Sequence, residues 1–260
     1  MATNKSKTTR RTGAGKLRKV FVTIALVIAV IISGGVAVVT IAAVVNHTSG
    51  LRSARDEYAN LRAVAADLVY GGSAVQLSEL DIEMLAVNPD YVAWLRISGT
   101  DIDYPVVRAH DNERYLNTSF SGEESDAGTV FMDFRNIGNF ISMAADDFVP
   151  HIILYGHLLR QGGMFSELHS FLNERFSAQN HIITLTINGE EVNFEIFDVR
   201  LTDVYDYAYF INFSEPHAFH RFADRVGAPL AATQILTLST CTFGNNDDER
   251  LVVQAHRLFS

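Results

Sequence analysis

The chain predicts a mainly β protein: a closed or nearly closed barrel of about eight strands, behind a helical extension and an apolar N-terminal span. Three observations lead there. From Tyr91 onward, short runs of alternating apolar and β-branched residues follow one another. The turn signals Ser98-Gly99-Thr100 and Asn188-Gly189 separate paired runs. Only Met164–Phe176 and Glu215–Val226 interrupt them as helical stretches. Many short strands with few helices indicate a barrel.

The elements justify themselves in order. Residues 1–19 carry Lys5, Lys7, Arg10, Arg11, Lys16, Arg18 and Lys19 and no acid. The 260-residue chain has 21 basic and 30 acidic residues, a net charge of -9; without these seven, 14 basic residues face 30 acidic ones, a net -16. So acidic a body excludes a nucleic-acid partner, which needs a basic face. Val20–Val45 is 26 residues without a charge. As a helix it reaches roughly 39 Å at about 1.5 Å per residue, enough to cross a hydrocarbon core of about 30 Å. The positive-inside rule then sets 1–19 as a cytoplasmic tail, 20–45 as a signal-anchor and the body outside the cell membrane. A cleaved signal peptide is the competing reading, but the run is long for an h-region and no small-x-small site precedes the body.

The linker spans 46–87. Asn46-His-Thr-Ser-Gly50 is a polar hinge. Leu51, Ala54, Tyr58, Leu61, Ala65 and Leu68 make one apolar stripe on a helix, either packed on the body or paired in a coiled coil. Gly71-Gly72-Ser73 breaks that helix, and Ser78–Val87 reads as a second one, stopped by Asn88-Pro89. The barrel occupies 88–260. Its candidate strands are Tyr91–Ser98, Asp101–Arg108, Gly128–Asp133, His151–His157, His181–Asn188, Glu191–Asp203, Gln234–Thr242 and Arg250–Leu258. With one cysteine there is no intramolecular disulfide, so the core alone must hold the fold.

That one cysteine is the candidate nucleophile. Cys241 closes the strand-like run from Gln234, an acidic Gly/Asn-rich loop follows, and Arg250 opens the next strand. If those strands are neighbours, thiol and guanidinium face the same end of a sheet. A thiol needs its thiolate form and a proton-transfer partner. Among nine histidines, His157 ends an apolar strand beside the flexible Gly162-Gly163 loop. His217 and His220 stand at i, i+3 on a helix but lack a third metal ligand. Arg250 suits an oxyanion or a substrate backbone; the alternative is a surface arginine paired with Asp247, Asp248 or Glu249. For Cys241 the alternative is a buried, inert thiol. The consecutive acids lack the spacing of an oxygen cage, so no metal or other cofactor is expected.

Thr237-Leu-Ser-Thr-Cys241 followed by Arg250, with Tyr155-Gly-His157 upstream, resembles the active-site signature of sortases, membrane-anchored cysteine transpeptidases of Gram-positive bacteria. The TLSTC form resembles the class B subgroup. So do Asn88-Pro-Asp-Tyr-Val-Ala-Trp-Leu-Arg-Ile97, Ile102-Asp-Tyr-Pro-Val-Val107, Asp111-Asn-Glu-Arg-Tyr-Leu-Asn117 and Gly128-Thr-Val-Phe-Met-Asp133. The resemblance implies an eight-stranded sortase barrel with catalytic His157, Cys241 and Arg250. It implies that the thiolate attacks after the threonine of a surface protein's C-terminal sorting motif, and that an amine of the peptidoglycan precursor lipid II releases the product. A glycine bridge, diaminopimelate or a pilin lysine could supply that amine, the last in a pilin-polymerising variant; water would give hydrolysis. Tyr205–Val226 corresponds to the sorting-motif pocket, with Tyr207 and Tyr209 as candidate substrate contacts. Ser239 and Thr240 are candidates beside the nucleophile; alternation sets Ser239 on the face of Cys241 and Thr240 on the other. The non-enzyme alternative is a membrane-tethered barrel that binds a partner.

Overall fold

In a computed structural model of the protein, the structure describes residues 57–59, 61, 77–141, 145, 147–215, 217–244 and 246–259. Helix α1, Glu79–Val87, begins at a capping box. The Ser78 hydroxyl accepts from the Asp81 N–H, and the Asp81 carboxylate accepts from the Ser78 N–H, each at 3.1 Å. It ends before Pro89, where Asn88 is already extended at φ -140°.

Eight strands follow: β1 Tyr91–Ile97, β2 Asp103–Val107, β3 Val130–Met132, β4 His151–Tyr155, β5 Ile182–Ile187, β6 Glu190–Asp203, β7 Ile235–Cys241 and β8 Glu249–Arg257. They close into a barrel in the order β1-β2-β3-β4-β7-β8-β6-β5. Every candidate strand forms, within two residues of its expected ends. The β2–β3 and β4–β7 pairs are parallel and the others antiparallel. Asn188 and Gly189 join β5 to β6 with φ of +50° and +76°, the double positive φ of a type I′ turn.

The barrel interior is apolar. Leu95, Val106, Val130, Leu154, Leu185, Leu236, Leu251 and Val253 are fully buried together. Each such side chain contributes about 1.5–3 kcal/mol relative to exposure. Tyr58, from the expected first helix, is buried against this core. Its hydroxyl donates to the Gly128 carbonyl at 3.0 Å, and its ring meets Tyr104 edge-on. The stripe therefore packs on the barrel at this residue.

The expected helix Met164–Phe176 is split. A 3-10 helix covers Ser166–Leu172, and helix α2 covers Glu174–Gln179. Asn173 makes the break, because its side-chain oxygen caps the Arg175 and Phe176 N–H groups. Such a cap starts a new helix rather than continuing an old one. Helix α3, Ala218–Arg225, buries Phe222 against Ile235 among Tyr207, Phe210, Phe213 and Phe219.

One expectation is corrected. The reading as a single-pass membrane protein, with a cytoplasmic N-terminus and the catalytic domain outside, does not carry forward. Among the described residues no helix is long and apolar enough to cross a membrane. The longest, α1, has nine residues and spans about 14 Å, against a hydrocarbon core of about 30 Å. The Val20–Val45 span lies outside the described residues.

Candidate active site

The site lies where β4, β7 and β8 end on the same side of the sheet. β7 and β8 are antiparallel neighbours, and their register sets Cys241 directly opposite Arg250. β4 runs parallel to β7 with Tyr155 beside Ser239, and the Gly156 N–H still donates to the Ser239 carbonyl at 3.2 Å. Two residues further along each chain, the same register brings His157 beside Cys241, about one strand spacing (~5 Å) away. Cys241 is exposed, which removes the alternative of a buried thiol.

These residues line a cleft of about 460 Å³, completed by Asn112, Leu116, Phe131, Arg135, Tyr155, Val204, Tyr209, Ser239 and Thr240. That volume suits a short peptide segment or a small ligand. Among the described residues, no aspartate or glutamate lines it, although the chain carries 30 of them.

Each polar side chain in the cleft is held. The His157 Nε2 lies 2.6 Å from the Leu116 carbonyl oxygen. A carbonyl only accepts, so Nε2 carries the hydrogen and Nδ1 is left for chemistry. Gly128 makes room for this arrangement. A Cβ there would lie 2.5 Å from the Tyr115 carbonyl oxygen and 3.0 Å from His157 Cδ2. The Arg250 Nη1 donates to the carbonyl oxygens of Asp247 (2.6 Å) and Glu249 (2.9 Å). The expected alternative paired Arg250 with carboxylates of this loop; its described partners are backbone carbonyls instead. The Glu249 carboxylate accepts from the Thr242 hydroxyl and so fastens the start of the loop to its end.

The β6–β7 segment divides its two candidate tyrosines. Tyr209 lines the cleft, shares a 2.8 Å hydrogen bond with the Ser239 hydroxyl and stacks on Tyr155. Burial pushes the Tyr209 hydroxyl up, partly offset by the Ser239 hydrogen bond and the Arg250 charge. Tyr207 stacks on Phe210 and lies under the Arg225 guanidinium, in the aromatic cluster beneath α3; it is not a lining residue. Ser239 and Thr240 both contribute to the lining, and the Thr240 hydroxyl oxygen is buried without a hydrogen-bond partner among the described residues.

Sequence reasoning missed the β3 side. Asp133 is fully buried and takes a two-pronged bond from Arg135, Nε at 2.8 Å and Nη2 at 2.7 Å. The Tyr155 hydroxyl (2.9 Å) and the Asn112 amide (3.1 Å) donate to the same carboxylate. Burial alone would raise Asp133, but the Arg135 hydrogen bonds and charge hold it below the usual carboxylate range. Burial, and then the Asp133 charge, push the Tyr155 hydroxyl up. An Asp-x-Arg at the end of a short strand was the available signal.

An exposed thiol with a histidine on one neighbouring strand and an arginine on the other, at the end of a closed barrel, describes a cysteine-dependent enzyme. Known proteins narrow the class. The sortase domain model matches residues 95–258, and the chain belongs to the sortase family of cysteine transpeptidases. Sortase B of Listeria monocytogenes is 30% identical over 182 residues, 66% of this chain and 71% of that protein. Sortase B of Staphylococcus aureus is 28% identical over 176 residues, 64% and 69% of the two. Among solved structures, a Staphylococcus aureus sortase B–substrate complex matches with a TM-score of 0.69 at 26% identity, covering 80% of this chain and 97% of that one. Clostridium perfringens sortase B matches at 0.60 and 29% identity, covering 68% and 99%.

Proposed function

We propose that His157, Cys241 and Arg250 carry out a transpeptidation in which the Cys241 thiolate attacks the carbonyl after the threonine of a C-terminal sorting motif. The S–C bond forms, and Arg250 stabilises the oxyanion through its free N–H groups. As the C–N bond breaks, imidazolium His157 passes its Nδ1 proton to the departing amine. An acceptor amine then attacks the thioester, gives its proton to Nδ1 and releases the Cys241 thiolate. The single observation carrying this reading is the register that sets Arg250 across from Cys241, with His157 on the strand at its other side.

The acceptor is the amine of the peptidoglycan precursor lipid II, and the catalytic unit runs from about residue 88 to 260. One sortase B has been solved with a substrate and another with triglycine, which supports a cleft that takes both a peptide and an amine. Ser239 and Tyr209 contact the sorting motif beside the nucleophile.

The test is to mix the protein with fluorogenic peptides of Asn-Pro-x-Thr and Leu-Pro-x-Thr type, with and without amines, and to read products by mass spectrometry. Cleavage after threonine, an adduct on Cys241 and loss of both in Cys241→Ala are expected. Cleavage that survives Cys241→Ala would overturn the assignment.

A further inference from the structure

Arg135 has no role in the chemistry just described, yet it is built into the cleft. Asp133 occupies two of its N–H groups, and a guanidinium carries five. Its side chain is 41% exposed, while that of Asp133 is wholly buried. The carboxylate is itself fixed by Tyr155, by Asn112 and by the Arg135 backbone N–H at 2.9 Å. The fork is thus anchored from behind, with donors left over on the cleft side.

Its position relative to His157 is also defined. β3 and β4 are neighbours, with Phe131 beside Tyr155. Asn112 and Leu116, from the β2–β3 connection, bond Asp133 and His157 respectively. Arg135 and His157 are therefore about one strand spacing (~5 Å) apart. Arg250 is further away, on β8, with β4 and β7 in between. An acceptor whose amine meets His157 has Arg135 within reach of whatever group is attached to the next carbon. In a cleft whose described lining holds two arginines and no acid, that group is a carboxylate, which the guanidinium fork fits.

We propose that Arg135 is a specificity-determining residue that receives the carboxylate flanking the acceptor amine. The acceptor is then an α-amino carboxylate of the diamino-acid type, in preference to a plain alkylamine. This rests on the transpeptidase reading above.

The experiment uses the full chain and a cleavable sorting peptide. It compares meso-diaminopimelate with its diamide and with 1,5-diaminopentane as acceptors. The wild-type protein is expected to use diaminopimelate at least about tenfold more efficiently than the diamide, by kcat/KM for the amine. Arg135→Gln should bring that ratio close to one, chiefly by raising KM for diaminopimelate. A merely structural role would slow all three acceptors alike and leave the ratio intact. Should Arg135→Gln not fold, Arg135→Lys, which keeps the charge and loses the fork, should still lower the ratio severalfold. A wild-type ratio near one, a ratio unmoved by either variant, or a preference that instead follows Asp over Asn after the threonine of the sorting peptide would overturn the proposal. If no peptide is cleaved, the transpeptidase reading fails separately. Diaminopimelate binding to Cys241→Ala, measured by calorimetry, then decides the role of Arg135. Binding tighter than that of the diamide, and lost with Arg135→Gln, supports it; equal binding of the two overturns it.

Discussion

Arg250 and Arg135 stand on two sides of one cleft and are held in different ways. Loop carbonyls hold Arg250, with no carboxylate among its described partners. A buried carboxylate, already carrying two other donors, holds Arg135. A guanidinium held by neutral carbonyls keeps its charge available for an oxyanion that exists only during reaction. One already neutralised offers geometry more than field. The β8 side is therefore suited to chemistry and the β3 side to recognition and to holding the cleft together.

The sharpest way to break this contrast is Arg250→Lys. It keeps the charge and removes the fork, and kcat is expected to fall about 10²- to 10³-fold with little change in melting temperature. Steady-state peptide cleavage beside a thermal melt checks both halves. An unfolding defect instead would make Arg250 structural.

Asp133→Asn should do the reverse. It leaves the Arg135 fork facing a neutral amide and costs about 2–3 kcal/mol of stability. That is below the ~3–5 kcal/mol for breaking a fully buried pair, because Arg135 is partly in water. Urea denaturation measures it, and an unchanged midpoint would deny the β3 side its structural role.

A smaller effect concerns pH. His151 is buried under α3, bonded to the Phe210 carbonyl and the Thr237 hydroxyl, and burial pushes its pKa down from 6.5 to about 4. A lowered histidine favours the neutral folded form. Its contribution is complete above about pH 6.5 and is lost as pH falls towards 4, where the unfolded chain takes up a proton that the folded one refuses. Melting temperature should therefore drop across that window, and His151→Gln should flatten the drop. Parallel curves for the two proteins would count against His151 as the cause.

The least effect is expected from Tyr209→Phe. It removes one hydrogen bond to Ser239, of about 0.5–1.5 kcal/mol. KM for the sorting peptide should rise about three- to tenfold with kcat nearly constant. A collapse of kcat would move Tyr209 from the recognition side to the chemical side.

Most of the barrel was legible because strands write themselves locally: alternation, β-branching and turn residues are read within ten positions. All eight runs formed, whereas the helix expected over Met164–Phe176 was cut by the cap of Asn173, a side chain-to-backbone competition that hydrophobic periodicity does not register. Cys241, Arg250 and His157 were legible because each stands at a strand end next to a distinctive loop.

By itself, then, the sequence determined a β-barrel with a thiol, an imidazole and a guanidinium at strand ends. Only the tertiary structure decided which side chains share the cleft. Tyr207 and Tyr209 are two residues apart in a 3-10 turn. At three residues per turn they project about 120° from each other, so one enters the aromatic cluster and the other the cleft. Asp133, Arg135, Tyr155 and Asn112 meet because β3 pairs with β4 and the β2–β3 connection folds over both. Strand order around a closed barrel is a long-range property, and no local pattern of residues encodes which partner lies across the gap.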